Sequence, residues 1–140
     1  MTGNNSFSNT IDLVHRSMSA TTLRQAVYAN NIANVNTPNF KRTEVTFESQ
    51  LGRALDSQRQ RPALLLDQTH PDHISNWQPM DHTDVRPRRV LDFLSQTDAN
   101  GNNVDPDEEF NLILQNQMRY ILLTQMAAFE FGQINLVLRG

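Results

Sequence analysis

The sequence predicts a protein dominated by α-helix, in which a long helix from each end of the chain packs as a hairpin or coiled coil around a loop-rich middle. Apolar residues recur at helical spacing near both ends, and four of the six prolines lie between residues 60 and 90. Charge follows the same division, because only six of the 27 Asp, Glu, Lys and Arg residues lie outside residues 41–109. Solvated helices normally carry a charged face. We therefore expect both terminal helices to be covered by other helices.

Composition and periodicity divide the chain into four predicted parts. Gly, Ser, Asn and Thr dominate the first residues, which predicts a flexible tail. Two helical patterns then flank a middle rich in charged and turn residues. The parts are a flexible tail over residues 1–8, an N-terminal helix and turn over 9–40, a charged loop-rich insert over 41–104 and a C-terminal helix over 105–140.

The first helix is predicted to run from about Asn9 to Asn34. Ile11, Val14 and Met18 lie three and four residues apart, the spacing that places side chains on one helix face. A second row of small residues would let another helix approach closely. This row is Thr22, Ala26, Ala29 and Ala33.

The turn that ends this helix carries four asparagines between residues 30 and 36. Asparagine is poor inside a helix but good at a helix end, where its amide bonds free backbone groups. Thr37 is pushed out of the helical region by the ring of Pro38. The amides could cap the helix, or bond to neighbouring subunits in a packed assembly, and the sequence leaves both roles open.

The insert is predicted to hold a short extended segment, a short helix and long loops. Phe47, Leu51 and Leu55 lie four residues apart, which indicates an amphipathic helix that ends near Gln60. From there to Gly101, scattered prolines and turn residues predict loops with room for one or two short strands.

The C-terminal helix is predicted to begin with Asp105 as its N-cap and Pro106 as its first residue. The acidic residues 107–109 suit the positive end of the helix dipole. Eighteen of the last 31 residues are apolar or aromatic. A single partner helix cannot cover so many.

Composition also excludes several function classes. The chain has no cysteine, hence no disulfide, thiolate metal site or cysteine nucleophile. Its net charge of -3 without a basic stripe argues against nucleic-acid binding. Residues 1–9 lack the features of a signal peptide, and we expect no apolar run as long as a transmembrane helix, about 20 residues. We expect no catalytic activity, cofactor, metal or small-molecule substrate.

The turn sequence resembles a known family. Residues 31–34, Asn-Ile-Ala-Asn, followed by Thr-Pro-Asn-Phe-Lys at 37–41, resemble the N-terminal signature of the bacterial flagellar axial proteins, the rod, hook and hook-associated family. Asn39 replaces the family's glycine and Phe40 its tyrosine, and asparagine is the other residue that best tolerates positive φ. The resemblance implies a turn motif formed by these residues: Asn31, Ala33, Asn34, Thr37, Pro38, Asn39 and Phe40.

Two further segments resemble the proximal-rod branch of that family. They are residues 101–120 and the Thr-His-Pro-Asp-His-Ile run at 69–74. The resemblance implies a structural subunit of the flagellar basal-body rod that assembles by helix packing into the proximal part of the tubular drive shaft. Implied partners are other copies of the chain, other rod subunits, the basal-body adaptor protein and the base formed by the export gate and MS ring. The implied location is the basal body within the periplasmic space, reached by export without a cleaved signal peptide.

Two alternatives from other function classes stay open. A metal-dependent hydrolase would use His70, His73 and His82, although their spacing matches no recognised site. A soluble helical adaptor would bind an amphipathic partner in a groove. If the chain is a rod subunit, the residues expected to pack against neighbours are Leu23, Val27, Leu114, Met118, Ile121, Leu122, Phe129 and Leu136.

Overall fold

The computed structural model describes residues 6–60, 70, 72, 78–95 and 99–139. Within them the chain is mostly helical, and its two strands pair in one small sheet. The predicted fold class is therefore confirmed. The elements are α1 (Ser6–Ala33), β1 (Thr43–Thr46), α2 (Glu48–Arg59), a 3-10 helix (His82–Asp84), β2 (Arg88–Leu91) and α3 (Pro106–Arg139).

The chain forms two compact units. The first comprises Met1–Val45 and Arg89–Gly140, and the second comprises Thr46–Arg88. The first unit contains both long helices, and the second contains α2 and the 3-10 helix.

The helices α1 and α3 pack antiparallel in the first unit. Near the start of α1, the rings of Phe7 and Phe131 meet edge to face with centroids 6.1 Å apart. At the other end, the Asn31 side chain bonds to Glu109, near the start of α3. Residue numbers therefore increase along α1 as they decrease along the neighbouring α3, as in the predicted hairpin.

Helix α1 begins at Ser6, three residues earlier than predicted. Residues 6–8 are therefore helical and not part of a flexible tail. The physical reason is Phe7, whose aromatic contact with Phe131 stabilises the first turn. Residues 1–5 of the predicted tail lie outside the described residues.

The side of α1 that faces the interior mixes apolar and polar side chains. The row of small residues predicted to allow close helix approach is exposed. It therefore remains available to something outside the chain. The buried residues of α1 are Val14, Ala20, Thr21, Arg24, Val27, Tyr28 and Asn31.

In the second unit, α2 confirms the short helix expected after Phe47. Phe47 and Ala54 are buried there. The Gln58 amide donates to the Met80 carbonyl at 3.0 Å, and the Met80 N–H donates to Ser57 Oγ at 2.9 Å. These bonds hold the approach to the 3-10 helix against the end of α2.

Helix α3 is long and apolar enough to cross a membrane, judged by length and composition alone, with a mean hydropathy of 1.4 over its most apolar stretch. This corrects our expectation that no segment would pass that test. Gln125 and Glu130 interrupt the apolar run, but the mean hydropathy of this stretch stays high enough for a membrane-spanning helix. A polar group inside a bilayer is costly, whereas a helix covered by other protein helices tolerates such residues.

Candidate functional site: a polar helix seam and an uncovered apolar face

The buried side chains of α3 are polar. Among the described residues of this helix, Glu109 is 0% exposed and Asn116 is 5% exposed, and these two are its buried residues. Leu123 and Glu130 continue the row at intervals of seven and are half-buried. Residues seven apart form the seam of a two-helix coiled coil. The seam with α1 therefore runs along this row.

The large apolar side chains of α3 lie outside that seam. Six of the residues predicted to pack against neighbours are more than half exposed. They are Leu114 (52%), Met118 (58%), Ile121 (55%), Leu122 (65%), Phe129 (64%) and Leu136 (71%). Phe110, Met126, Phe131, Val137 and Leu138 are exposed as well. We call these eleven side chains the apolar face of α3.

The two predicted packing residues on α1 differ from those on α3. Val27 is 3% exposed, so its side chain is already covered within the chain. This corrects its assignment as a contact for a neighbouring subunit, because the helix face it occupies is the one that packs inward. Leu23 is half-buried.

A groove of about 540 Å³ opens beside Asn116. The Asn116 amide nitrogen donates to the Thr21 carbonyl at 2.9 Å and to Gln25 Oε1 at 3.2 Å. Its Oδ1 is buried without a hydrogen-bond partner, the one such side-chain atom in the described part of the chain. The groove continues onto the apolar face of α3 through Ile121.

The turn after α1 is anchored by Asn31, which is fully buried. Its Nδ2 donates to the Thr43 carbonyl at 2.9 Å and to Glu109 Oε2 at 3.1 Å. Its Oδ1 accepts from the Thr43 N–H at 3.1 Å. One amide thus joins the last turn of α1, the start of β1 and the first turn of α3.

Arg42 completes this cluster. Its Nε donates to Glu109 Oε1 at 2.5 Å, and Nη1 lies 2.8 Å from Glu44 Oε1. Burial alone lowers the pKa of the guanidinium, but the hydrogen bond to Glu109 and the nearby carboxylates outweigh burial and raise the pKa above its usual value. Arg42 therefore stays charged. We call Asn31, Arg42 and Glu109 the polar clamp.

Asn102 holds the turn that follows α1 from the segment that leads into α3. It is 1% exposed, and its Nδ2 lies 2.9, 2.9 and 3.0 Å from the carbonyl oxygens of residues 34, 35 and 37. These carbonyls lie in the turn that follows Ala33, the last residue of α1. A side chain 65 to 68 residues further along the chain therefore ties this turn to the segment before α3.

Asn39 and Gly101 meet where the turn contacts the lead-in to α3. Asn39 has φ 60, as its place in the turn motif predicted, and its N–H donates to the Asn100 carbonyl at 3.0 Å. Gly101 has φ 80, and a Cβ there would lie 2.5 Å from Asn39 Oδ1. Glycine is therefore favoured at position 101 chiefly by its backbone angle, since Asn39 Oδ1 is the end of a side chain that can rotate.

The rest of the turn motif follows the capping interpretation. Asn34 Nδ2 donates to the Asn30 carbonyl at 2.8 Å, and the Thr37 N–H donates to the Asn34 carbonyl at 2.9 Å. The Phe40 N–H closes the turn onto Thr37 at 3.3 Å. Ala33 and Pro38 are exposed. Hydrogen bonding by these amides to neighbouring subunits stays a prediction.

Sequence reasoning missed Arg42, Asn102 and Asn116, and it interpreted Glu109 only as a charge that complements the helix dipole. One signal was present in the sequence. Glu109 and Asn116 are seven residues apart in a helix that is more than half apolar or aromatic, which is the spacing of a seam that needs polar partners.

Two of the histidines proposed for a metal site, His70 and His82, lie within the described residues. His70 Nδ1 lies 3.5 Å from Asp72 Oδ2, and His82 Nδ1 lies 3.6 Å from Asp81 Oδ1. Within the described ranges, no three metal-binding side chains come together. His73 lies outside those ranges.

Known proteins resemble this chain over nearly its whole length. The pattern of the family described as flagella basal body rod protein matches residues 15–41. The flagellar basal body rod protein FlgB of Borreliella burgdorferi is 42% identical over 135 residues, which cover 96% of this chain and 99% of the relative. The FlgB protein of Bacillus subtilis is 33% identical over 96% of each chain. The chain belongs to the FlgB family of flagellar basal body rod proteins.

Family membership establishes the general role. This FlgB-family chain is a structural subunit of the bacterial flagellar basal body rod. The family is structural and is not a family of enzymes. The matched residues 15–41 span α1 from His15 to its end, the turn motif and the first residue after it. They therefore include Asn31 of the polar clamp.

Proposed function

We propose that this FlgB-family chain forms the proximal part of the rod and that the apolar face of α3 is the surface through which it packs against its neighbours. The observation that carries the proposal is the reversed distribution of side chains on α3. Its buried residues are polar, while its large apolar side chains are exposed. In a helix that only completed its own hairpin, the apolar side chains would face the partner helix.

The energetics favour the same conclusion. Burial of a Val, Leu, Ile, Met or Phe side chain contributes about 1.5–3 kcal/mol. The apolar face holds eleven such large side chains, and soluble monomers rarely leave an apolar patch of that extent uncovered. The groove beside Asn116 adds a recess that a neighbouring side chain would fill.

Neighbours of the chain would be other copies and other rod subunits, together with the basal-body adaptor protein and the base formed by the export gate and MS ring. Resemblance to the proximal-rod branch supports these partners. It also supports a periplasmic location reached by export without a cleaved signal peptide. Packing through different surfaces of one chain generates an open helical tube when the rotation does not close.

Aspartate substitutions on the apolar face test the proposal. Ile121→Asp, Leu122→Asp and Phe129→Asp each change a side chain that is more than half exposed, so the isolated chain should keep its thermal midpoint within about 2 °C. Each variant should nevertheless fail to enter basal bodies isolated from cells that lack their own copy. Phe131 is a less clean target, because its ring also contacts Phe7.

Leu94→Asp is the matched control. Leu94 is 99% exposed and lies outside α3, so its substitution introduces the same charge without touching the apolar face. The proposal fails if the three α3 variants enter basal bodies as well as the control does.

A further inference from the structure

The second compact unit carries a cleft lined by three arginines. The cleft has a volume of about 400 Å³, and Arg53, Arg86 and Arg88 line it with Asp84 as the single acidic residue. All three arginines are exposed. Three positive charges therefore stand against one negative charge in a space large enough for an acidic side chain.

None of these arginines makes an ion pair with another residue in the described part of the chain. The planar guanidinium group binds a carboxylate with two parallel hydrogen bonds. Several guanidinium groups in one cleft repel one another, and an anion that binds between them offsets this repulsion. The cleft thus has the chemistry of a carboxylate-binding site whose ligand comes from outside this unit.

The same sequence contains a matching acidic cluster at the start of α3. Asp105, Asp107 and Glu108 are exposed. Asp105 accepts the Asp107 N–H at 2.9 Å as helix N-cap, and Glu108 lies 3.4 Å from Arg42. Asp107 makes no ion pair with a described residue, which leaves its carboxylate available to a partner.

We propose that the arginine cleft of one copy binds the acidic start of α3 in a second copy. This inference rests on the proposed function, because only an assembling chain brings copies together. A contact in which each copy offers its cleft to one neighbour and its acidic segment to another is heterologous. It can repeat from copy to copy without closing, as an open helical assembly requires. Opposite charges also set the orientation of the approaching copy.

Charge reversal with mixing tests the inference on the purified full chain. The cleft variant is Arg53→Glu with Arg86→Glu, and the acid variant is Asp107→Arg with Glu108→Gln. Each variant alone should self-associate at least tenfold more weakly than the unmodified chain at low salt. An equimolar mixture should associate within about threefold of the unmodified chain, because each variant then offers the charge that the other needs. Light scattering as a function of concentration measures the association of each variant alone and of the mixture.

The matched control reverses the same number of arginine charges outside the cleft, with Arg59→Glu and Arg89→Glu. It should associate like the unmodified chain, and the cleft variant should keep the same thermal midpoint as this control. The inference is overturned if folded variants stay weak when mixed, if the acid variant alone associates normally, or if the control is as weak as the cleft variant. In each of these cases the proposed function stands as long as the aspartate variants on the apolar face still fail to assemble. If those variants assemble normally, the proposed function itself fails.

Discussion

At the residue scale, buried polar groups decide how α1 and α3 are aligned. A seam with a seven-residue repeat can slip by one repeat without changing which side chains face inward. The hydrogen bond between Asn31 and Glu109 can form in only one alignment of α1 against α3. Buried ion pairs often add little stability compared with apolar residues, but they can specify a single arrangement. The polar clamp therefore selects the register of the hairpin.

The ion pair in the clamp makes a stability prediction. Glu109→Gln keeps the shape of the side chain but leaves Arg42 charged and buried, 8% exposed at its side chain. Breaking a buried pair in this way costs about 3 kcal/mol. Urea unfolding should show that loss, whereas Glu108→Gln should cost less than about 1 kcal/mol because Glu108 is 55% exposed at its side chain. Equal losses would mean that the clamp does not hold the helices together.

The glycines provide a second test at the same scale. Gly101→Ala forces a left-handed residue to carry a Cβ against Asn39 and should destabilise the chain by about 1–3 kcal/mol. Gly52 lies inside α2, and the Cβ of Gly52→Ala would meet nothing within 4 Å. This change should therefore raise the free energy of unfolding by about 0.5–1 kcal/mol. Thermal unfolding distinguishes the two signs, and a stabilising alanine at position 101 would contradict the described turn.

At the element scale, each long helix supplies what the other lacks. The carbonyls of the turn after α1 accept hydrogen bonds from Asn102, which lies shortly before α3. The two terminal segments of the chain consequently form one cooperative structure. Loss of these hydrogen bonds should be felt in the last turn of α1 and not only in the loop that carries Asn102.

Asn102→Ala tests that coupling. The turn would lose the hydrogen bonds from the Asn102 amide, although the carbonyls of Asn34 and Thr37 keep those from the Thr37 and Phe40 N–H groups. The amide has two N–H groups to donate, so at about 0.5–1.5 kcal/mol for each hydrogen bond the expected loss is about 1–3 kcal/mol. Amide exchange at the last turn of α1 should become faster. Asn36→Ala removes an exposed asparagine of the same turn and should change stability by less than about 0.5 kcal/mol. No difference between the two variants would show that α1 ends without help from Asn102.

The three α-helices could be predicted from sequence, because helix spacing and the Asp105 cap are local signals. The polar clamp could not, since Asn31 and Glu109 are 78 residues apart and either one alone suits a helix end. The end of α1 was assigned to Pro38. Pro38 is exposed, and Asn102 supplies a second, long-range cause that no local pattern reveals.

At the scale of the whole molecule, charge and apolar surface are separated along the chain. The polar insert keeps most of the charges, while the ends of the chain carry six of 27. The exposed apolar side chains concentrate on α3. At about 100° per residue, Ile121 and Met126 lie about 140° apart, and Phe129 lies between them. An arc that wide needs more than one neighbouring helix to cover it.

The most direct measurement of this central claim is the reactivity of single cysteines with a maleimide in isolated chains and in assembled rods. The chain has no cysteine, so Ile121→Cys, Met126→Cys and Phe129→Cys each report on one part of the arc. All three should react rapidly in the isolated chain, where these side chains are about half exposed or more. In assembled rods all three should react at least tenfold more slowly. A cysteine on any part of the arc that reacts equally fast in the rod would contradict coverage of α3 by neighbouring subunits.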